Sequence, residues 1–295
     1  MTIAVCGSLA FDTIMTFEGR FADQILPDQL HILNVSFLVP GLRREFGGCA
    51  GNIAYGLRQL GAPVTPVATL GSDGHDYLDR LNAMGVDTSH VRVAAGQYTA
   101  QAMIMTDLDN NQITAFHPGA MAQAHEQTMT ATTAARLGIV SPDGKQAMWE
   151  HAQQFHALGV PFVFDPGQGL PMFNGEELLQ MVEWAQWAAL NDYEARMLCD
   201  RTGLDLAALS KRLGGLVVTL ADQGCEVWMD GQRQAVPGVK ATQVVDPTGC
   251  GDAFRAGLLF ALSQEQDLLQ AVALGNRMGA TKIACRGGQN YSFAL

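Results

Sequence analysis

Apolar and polar positions along the chain follow two periods that take turns. "TIAVCGSLA" is a short apolar run closed by Gly-Ser, the pattern of a buried strand. "GNIAYGLRQLG" sets Ile53, Ala54, Leu57 and Leu60 at helical spacing, with Gly61 as the stop. "VTPVATLG" then predicts a strand and "DYLDRLNAMG" a helix ending at Gly85. "GVPFVFDPG" and "LGGLVVTLADQG" predict further strands, with the helical pattern "EELLQMVEWAQWAAL" between them. Strand and helix alternate, which predicts βαβ units and an α/β fold with a mainly parallel central sheet.

Two segments break the alternation: residues 11–40, containing "HILNVSFLV", and "YTAQAMIMTDLDNNQITAFHPG". The second alternates around the polar turn "DLDNN" and predicts a hairpin of 98–106 with 112–117. We expect one domain over 1–295, in which about 12–40 and 91–117 form a small β-sheet lid and the remainder the α/β core. "TMTATTAAR" reads as a helix.

The chain has 295 residues, 48% hydrophobic and 16% charged, which suffices for a large core and excludes disorder. The net charge of −11 argues against nucleic acid or an anionic membrane as a partner. Any phosphate must therefore be held by local devices such as backbone amides or a metal ion. None of the six cysteines forms a CxxC pair or a zinc cluster, so they read as reduced thiols. The first apolar run lacks a basic start and meets Asp12 early; it reads as a strand, not a signal peptide, and a cytoplasmic location is expected.

Candidate chemistry concentrates in "DPTGCGDAFRAGLLFAL". A turn capped onto a core helix accounts for its glycines and for Asp252 near a helix start. The same geometry also aims the amides of Gly249, Cys250 and Gly251 at one point, at the positive end of a helix dipole. Such a nest holds an anion without a lysine. Asp252 at its mouth would accept a proton from a hydroxyl, a pairing suited to phosphoryl transfer to an alcohol. An earlier stretch, "FGGCAGNIAYGL", joins Gly47 and Gly48 to Asn52, which offers both a donor and an acceptor. There is no GxxxxGK[ST], no GxGxxG after a strand, no GxSxG and no HExxH. "DLDNNQ" imitates a calcium loop but has Gln112 at the glycine position and Pro118 at the glutamate position.

These motifs resemble a known family. "GGCAGNIA" and "DPTGCGDAF" are similar to the two signatures of the ribokinase-like (PfkB) carbohydrate and nucleoside kinases. "LNDYE" is similar to that family's N-x-x-E element, and "VVTLADQG" to its nucleotide-binding strand and loop. "LPDQLHILNVSFLVP", "REFGGCAGNIAYGL" and "TDLDNNQITAFHPGAM" resemble the bacterial nucleoside kinases within it. The resemblance implies a three-layer core with a β-sheet lid, ATP and Mg²⁺ as cofactors, and a monovalent cation such as K⁺ near the anion hole, about "CRGGQN". It makes Asp252 the base, and Gly249, Cys250 and Gly251 the anion hole. Asp12, Gly48 and Asn52 would hold the ribose. Asn191 and Glu194 would organise Mg²⁺ and phosphates, with Glu194 on the metal side. Thr219 and Gly224 would line the ATP site, and Asn276 would lie near the adenine. Arg255 and Lys282 are candidate cations for the γ-phosphate. The lysine that follows the double glycine in sugar kinases is Cys49 here, which points away from a plain ribokinase or fructokinase.

A nucleoside needs a flat apolar slot for its base, and the expected lid carries Phe17, Phe37, Met103, Met105 and Phe116. The expectation is therefore an ATP-dependent nucleoside kinase acting on the 5′-hydroxyl of a purine nucleoside such as adenosine, inosine or guanosine. A sugar kinase of the same fold and a catalytically silent nucleotide-binding regulator are the alternatives. An exposed lid edge would also allow a homodimer.

Overall fold

The computed structural model describes residues 1–25, 32, 34–109, 111–129 and 134–295. Its strands are β1 (Thr2–Cys6), β2 (Ala10–Thr16), β3 (Gly41–Gly47), β4 (Val64–Gly71), β5 (Val91–Ala94), β6 (Ala100–Thr106) and β7 (Gln112–His117). They continue as β8 (Ala135–Val140), β9 (Phe162–Phe164), β10 (Trp187–Asn191), β11 (Gly215–Thr219), β12 (Gly224–Met229) and β13 (Gln232–Pro237). Among the described residues, nine of them make the large sheet, in the order β13-β12-β11-β10-β9-β8-β1-β4-β5. Every pairing from β11 to β5 is parallel, and β12 and β13 close one edge antiparallel.

The parallel strands at the centre of the sheet are buried on both faces, as their near-continuous apolar runs require, and the edge strand β13 is largely exposed. Ile3 and Val5 of β1 pack into one core with helices Cys49–Gln59, Cys250–Ser263 and Leu268–Lys282. Ala4 and Cys6 of the same strand pack into a second core with helices Lys145–Ala157, Gly175–Trp184 and Asp192–Thr202. Helix, sheet and helix are the three layers, each core driven by burial that stabilises by about 1.5–3 kcal/mol per large apolar side chain.

The remaining four strands form a separate sheet, β3-β2-β6-β7. The hairpin of β6 and β7 turns at Asp107, whose carboxylate accepts the amides of Asp109 (3.0 Å), Asn111 (2.8 Å) and Phe21 (3.0 Å). That is a polar turn anchored by one side chain, with no calcium needed to explain it.

Several local expectations change. "EELLQMVEWAQWAAL" is not one helix: the helix stops at Trp184 and "WAALN" is β10, flanked by β9 and β11. A five-residue apolar run fits a buried strand as well as a helix turn, and sheet pairing decides it. β5 belongs to the edge of the large sheet, whereas β3 lies in the small one. The small sheet therefore draws on 10–16, 41–47, 100–106 and 112–117 rather than on 12–40 and 91–117. Of "HILNVSFLV", residues 31 and 33 lie outside the described residues and 34–39 take no regular structure. Of "TMTATTAAR", residues 130–133 lie outside the described residues, and Ala135 and Arg136 open β8 instead of extending a helix.

Candidate active site

β1 pairs with β4 on one side and β8 on the other, so the chain reverses its direction of sheet growth there. Loops leaving the carboxyl ends of strands at such a point splay apart and leave a crevice. A cavity of about 890 Å³ occupies it, floored by Ser8 after β1, Pro142 after β8 and Gln168 after β9.

The small sheet roofs this cavity with one face only. Asp12, Ala102 and Phe116 stand in register across β2, β6 and β7, and Ile104 and Thr114 stand opposite each other one step along. All five line the cavity. The alternate row, Leu42, Met15, Met105 and Ile113, faces the other way. Met103 and Met105 therefore do not line the slot as expected. Phe17 and Phe37 do not either: they pack with Phe21 at 4.9–5.9 Å in a cluster of their own. Of the lid residues put forward, Phe116 reaches the cavity, joined from the core side by Met121 and Met172.

Two glycine turns meet under the lid. Gly48 has φ +83°, and a Cβ there would lie 2.5 Å from the Ser8 carbonyl oxygen. Only glycine lets the chain leave β3 and enter the helix that carries Asn52. Gly249 caps the helix Cys250–Ser263 in the left-handed region, φ +77°, and offers no side-chain cap to the first-turn amides. The Cys250 amide closes a turn on the Pro247 carbonyl at 3.1 Å. Asn52 Nδ2 donates to Asp252 Oδ2 at 2.8 Å. Gln289 donates to Asn52 Oδ1 at 3.2 Å and to the Tyr77 hydroxyl at 2.6 Å, which fixes the amide from behind.

Burial lifts Asp252 to a pKa of about 6; the Asn52 hydrogen bond opposes this and the charge of Asp165 adds to it. Asp12 is likewise lifted to about 6, first by burial and then by the charges of Asp252, Asp246 and Glu45. Burial pushes the Cys49 thiol well up, so it is a neutral neighbour, not a nucleophile.

The cavity thus gathers Asp12, Gly48, Asn52, Gly249 and Asp252. Cys250 and Gly251 follow in the same helix turn without lining it. Asn191, Glu194, Thr219, Gly224 and Asn276 do not line it; they lie further along the sheet, where β10 ends, β11 ends and β12 begins. Asn191 caps the helix Asp192–Thr202, and both Glu194 oxygens accept from Asn191, at 2.8 and 2.9 Å. Burial, then the charge of Asp165, raises the Glu194 pKa. Thr219 donates to the Leu190 carbonyl at 3.3 Å, and Asn276 to the Pro237 carbonyl at 3.1 Å.

The two candidate phosphate cations are committed elsewhere. Arg255 grips Asp165 with two bonds, 3.1 and 2.9 Å, and both are buried. Lys282, fully buried, donates to the carbonyls of Asp246 at 2.7 Å and Cys285 at 3.2 Å.

Sequence reasoning missed the floor. Asp143, buried in the cavity lining, is lifted to about 7 by burial; its Oδ1 takes the Gly144 amide at 2.8 Å and its Oδ2 has no partner among the described residues. Gln168 and Met172 follow β9. The signal was present in "SPDG" and "DPGQG", glycine turns directly after predicted strands, once the switch point is known.

A family model described as pfkB family carbohydrate kinase matches residues 12–293. The chain is similar to a nucleoside kinase of Methanocaldococcus jannaschii, 29% identical over 259 residues that span 87% of this chain and 85% of that protein. It is similar to the structure of Burkholderia thailandensis nucleoside kinase in complex with inosine, with 48% identity, a TM-score of 0.89 and coverage of 98% of this chain and 94% of that one. For the same kinase in complex with ADP-inosine the values are 50%, 0.86, 99% and 92%. No helix among the described residues is long and apolar enough to cross a membrane. With a match running almost end to end and both glycine motifs facing one crevice, the chain belongs to the pfkB family of carbohydrate kinases, phosphotransferases that act on an alcohol group.

Proposed function

We propose that this chain is an ATP-dependent nucleoside kinase that moves the γ-phosphoryl of ATP to the 5′-hydroxyl of a purine ribonucleoside. One observation carries the reading: a carboxylate tuned to about pH 6, Asp252, faces a cavity of about 890 Å³ whose roof supplies both a carboxylate, Asp12, and an aromatic ring, Phe116. A ribose needs the first and a base needs the second.

In this reading Asp12, Gly48 and Asn52 hold the ribose hydroxyls. Asp252 takes the proton of the 5′-hydroxyl as its oxygen forms a bond to the γ-phosphorus; the bond to the β-phosphate oxygen breaks and ADP leaves. The amides of Gly249, Cys250 and Gly251 hold the migrating group, the Cys250 amide exchanging the Pro247 carbonyl for a phosphoryl oxygen. Thr219 and Gly224 line the ATP site, with Asn276 near the adenine.

No group of three or more His, Cys, Asp or Glu among the described residues could hold a metal ion alone. That suits Mg²⁺, which keeps its waters and binds substrate phosphates. Glu194 fits a water-mediated role: each oxygen accepts one bond from Asn191 and keeps a second lone pair. When bound, the ion neutralises phosphate charge. The K⁺ expected near "CRGGQN" does not fit as simply, because a carbonyl of that segment, Cys285, already receives the Lys282 ammonium.

The lid closes on the nucleoside to exclude water, which would otherwise consume ATP. Its outer apolar row also gives a second copy a surface to cover, so a homodimer through the lid is part of the proposal. ATP use and reduced thiols fit a cytoplasmic enzyme.

ATP consumption with adenosine, inosine and guanosine, compared with ribose and fructose, tests the function. Faster turnover of the free sugars would overturn it.

A further inference from the structure

Lys282 has no exposure at all; among the described residues its ammonium bonds no carboxylate directly, although its charge reaches the nearby Asp246 carboxylate. A buried ammonium with no directly bonded counter-ion is costly unless its protons find strong acceptors. Its acceptors are two main-chain carbonyls, Asp246 at 2.7 Å and Cys285 at 3.2 Å. The Cys285 bond alone would be an ordinary helix-end contact, since Lys282 is the last residue of its helix. The Asp246 bond is different: it crosses to the loop that leads into Gly249.

That loop is tied to the same helix end by several further bonds. Val245 and Asp246 donate their amides to the Ile283 carbonyl at 2.9 and 3.1 Å. The Asp246 carboxylate accepts the amides of Thr248 and Gly287, both at 2.9 Å. The carbonyls of 246 and 285 consequently converge on one buried point, at the start of the loop that leads to Gly249. Converging carbonyls are how proteins hold dehydrated monovalent cations. Here the point is filled by Nζ, so a metal ion would have to displace the ammonium or sit beside a like charge.

We propose that the Lys282 ammonium is the built-in cation of the anion-hole loop, so that phosphoryl transfer by this chain does not depend on a monovalent metal ion. A tethered cation needs no ordering at the moment of use and cannot be diluted away. Lys282 is a positioning residue: it fixes the loop whose amides meet the phosphoryl group and does not touch that group. The inference rests on the kinase reading above for its rate measurement, and on the loop geometry alone for its stability measurement.

The test uses the intact enzyme, freed of K⁺ and Na⁺ in tetramethylammonium chloride, with KCl or NH₄Cl added at constant ionic strength. The wild-type rate with ATP and its best acceptor should change less than about two-fold, while Lys282→Ala should lose on the order of 10²-fold through the displaced loop. K⁺ or NH₄⁺ should restore the variant at least several-fold, since the emptied carbonyl cradle becomes available to them. The same salts should raise the melting temperature of Lys282→Ala and leave that of the wild type unmoved. Activation of the wild type by K⁺ of about ten-fold or more would overturn the proposal. So would a variant whose rate and melting temperature ignore both cations, because that is plain structural support. Lys282→Met keeps the apolar stem if the alanine variant does not fold. Failure to turn over any acceptor would count against the kinase reading, and the melting temperatures would still decide the cation.

Discussion

Asn52 Nδ2 and Asp252 Oδ2 are 2.8 Å apart although 200 positions separate them in the chain. The bond joins the first turns of two helices, Cys49–Gln59 and Cys250–Ser263, so that both positive helix ends look into one crevice. The carboxylate also accepts from the Cys49 thiol and still lines the cavity. A base oriented in this way should matter for rate and not for affinity. Asp252→Asn keeps the shape and the Asn52 contact but cannot take a proton. We expect kcat to fall by about 10²–10⁴, with nucleoside binding by calorimetry nearly unchanged. An unaltered kcat would remove Asp252 from the chemistry.

The pH dependence follows from the same burial. Asp252 and Asp12 both lie at about 6 in the folded chain, and the charge of Asp252 adds to the cost of ionising Asp12. Transfer needs Asp252 ionised, so kcat/KM should climb from pH 5 and level off above about 7. Two coupled carboxyls should make that climb broader or steeper than a single titration. Stability runs the opposite way. Both folded values lie above the ordinary 3.8, so the folded chain binds these protons more tightly than the unfolded chain. Their contribution is complete below about pH 4 and is lost as pH rises through 6. Asp252→Asn should therefore melt higher than the wild type at pH 8 and equal to it near pH 4. A variant less stable at pH 8 would show that the buried charge is well compensated.

Much of this was readable in the residues, for identifiable reasons. The glycine turns and their carboxylate were legible because positive φ, helix caps and anion nests demand particular residues in a fixed local order. The lid hairpin was legible from its alternation. What the sequence did not carry was whatever depends on pairing over distance. "WAALN" needs β9 and β11 on either side to be a strand. Met103 and Met105 alternate as a strand should, but only the register with β2 and β7 decides which face meets the cavity. Arg255 looked free for a phosphate because Asp165 lies 90 positions away.

That Arg255–Asp165 pair is buried and lies within electrostatic reach of both Asp252 and Glu194. Arg255 also donates to the Ala189 carbonyl at 3.2 Å, so Nε and one terminal nitrogen of the guanidinium are engaged. Removing one partner leaves the other charged and buried. Asp165→Ala should destabilise the fold by about 3–5 kcal/mol in urea unfolding, whereas a surface pair such as Arg20–Asp109 should contribute less than about 1 kcal/mol. Equal effects from the two would mean that water reaches the buried pair.

In the proposed function, Phe116 is the residue that would separate nucleoside from sugar recognition. It is half-exposed at 49% without a ligand and stands in register with Ala102 and Asp12, so its ring can cover a base held above the ribose site. Losing such a stacking contact costs about 1–3 kcal/mol. Phe116→Ala should raise KM for nucleosides by roughly 5- to 150-fold and leave the weaker use of free ribose where it was. A proportional loss for both acceptors would assign the ring to lid stability.

The outer face of the lid makes the opposite demand. Leu42, Met15, Met105 and Ile113 run across all four strands, with Leu42 at 66% and Ile113 at 42% exposure, and β7 is exposed along its whole length. An apolar row on an open sheet edge invites a partner sheet. A charge in the middle of such a contact would meet its own copy across a two-fold axis. Ile113→Lys should therefore convert a dimer to a monomer in light scattering, with the lid still folded because the side chain points away from the cavity. If the wild type is already a monomer at micromolar concentration, the apolar row serves another purpose and self-association through the lid is wrong.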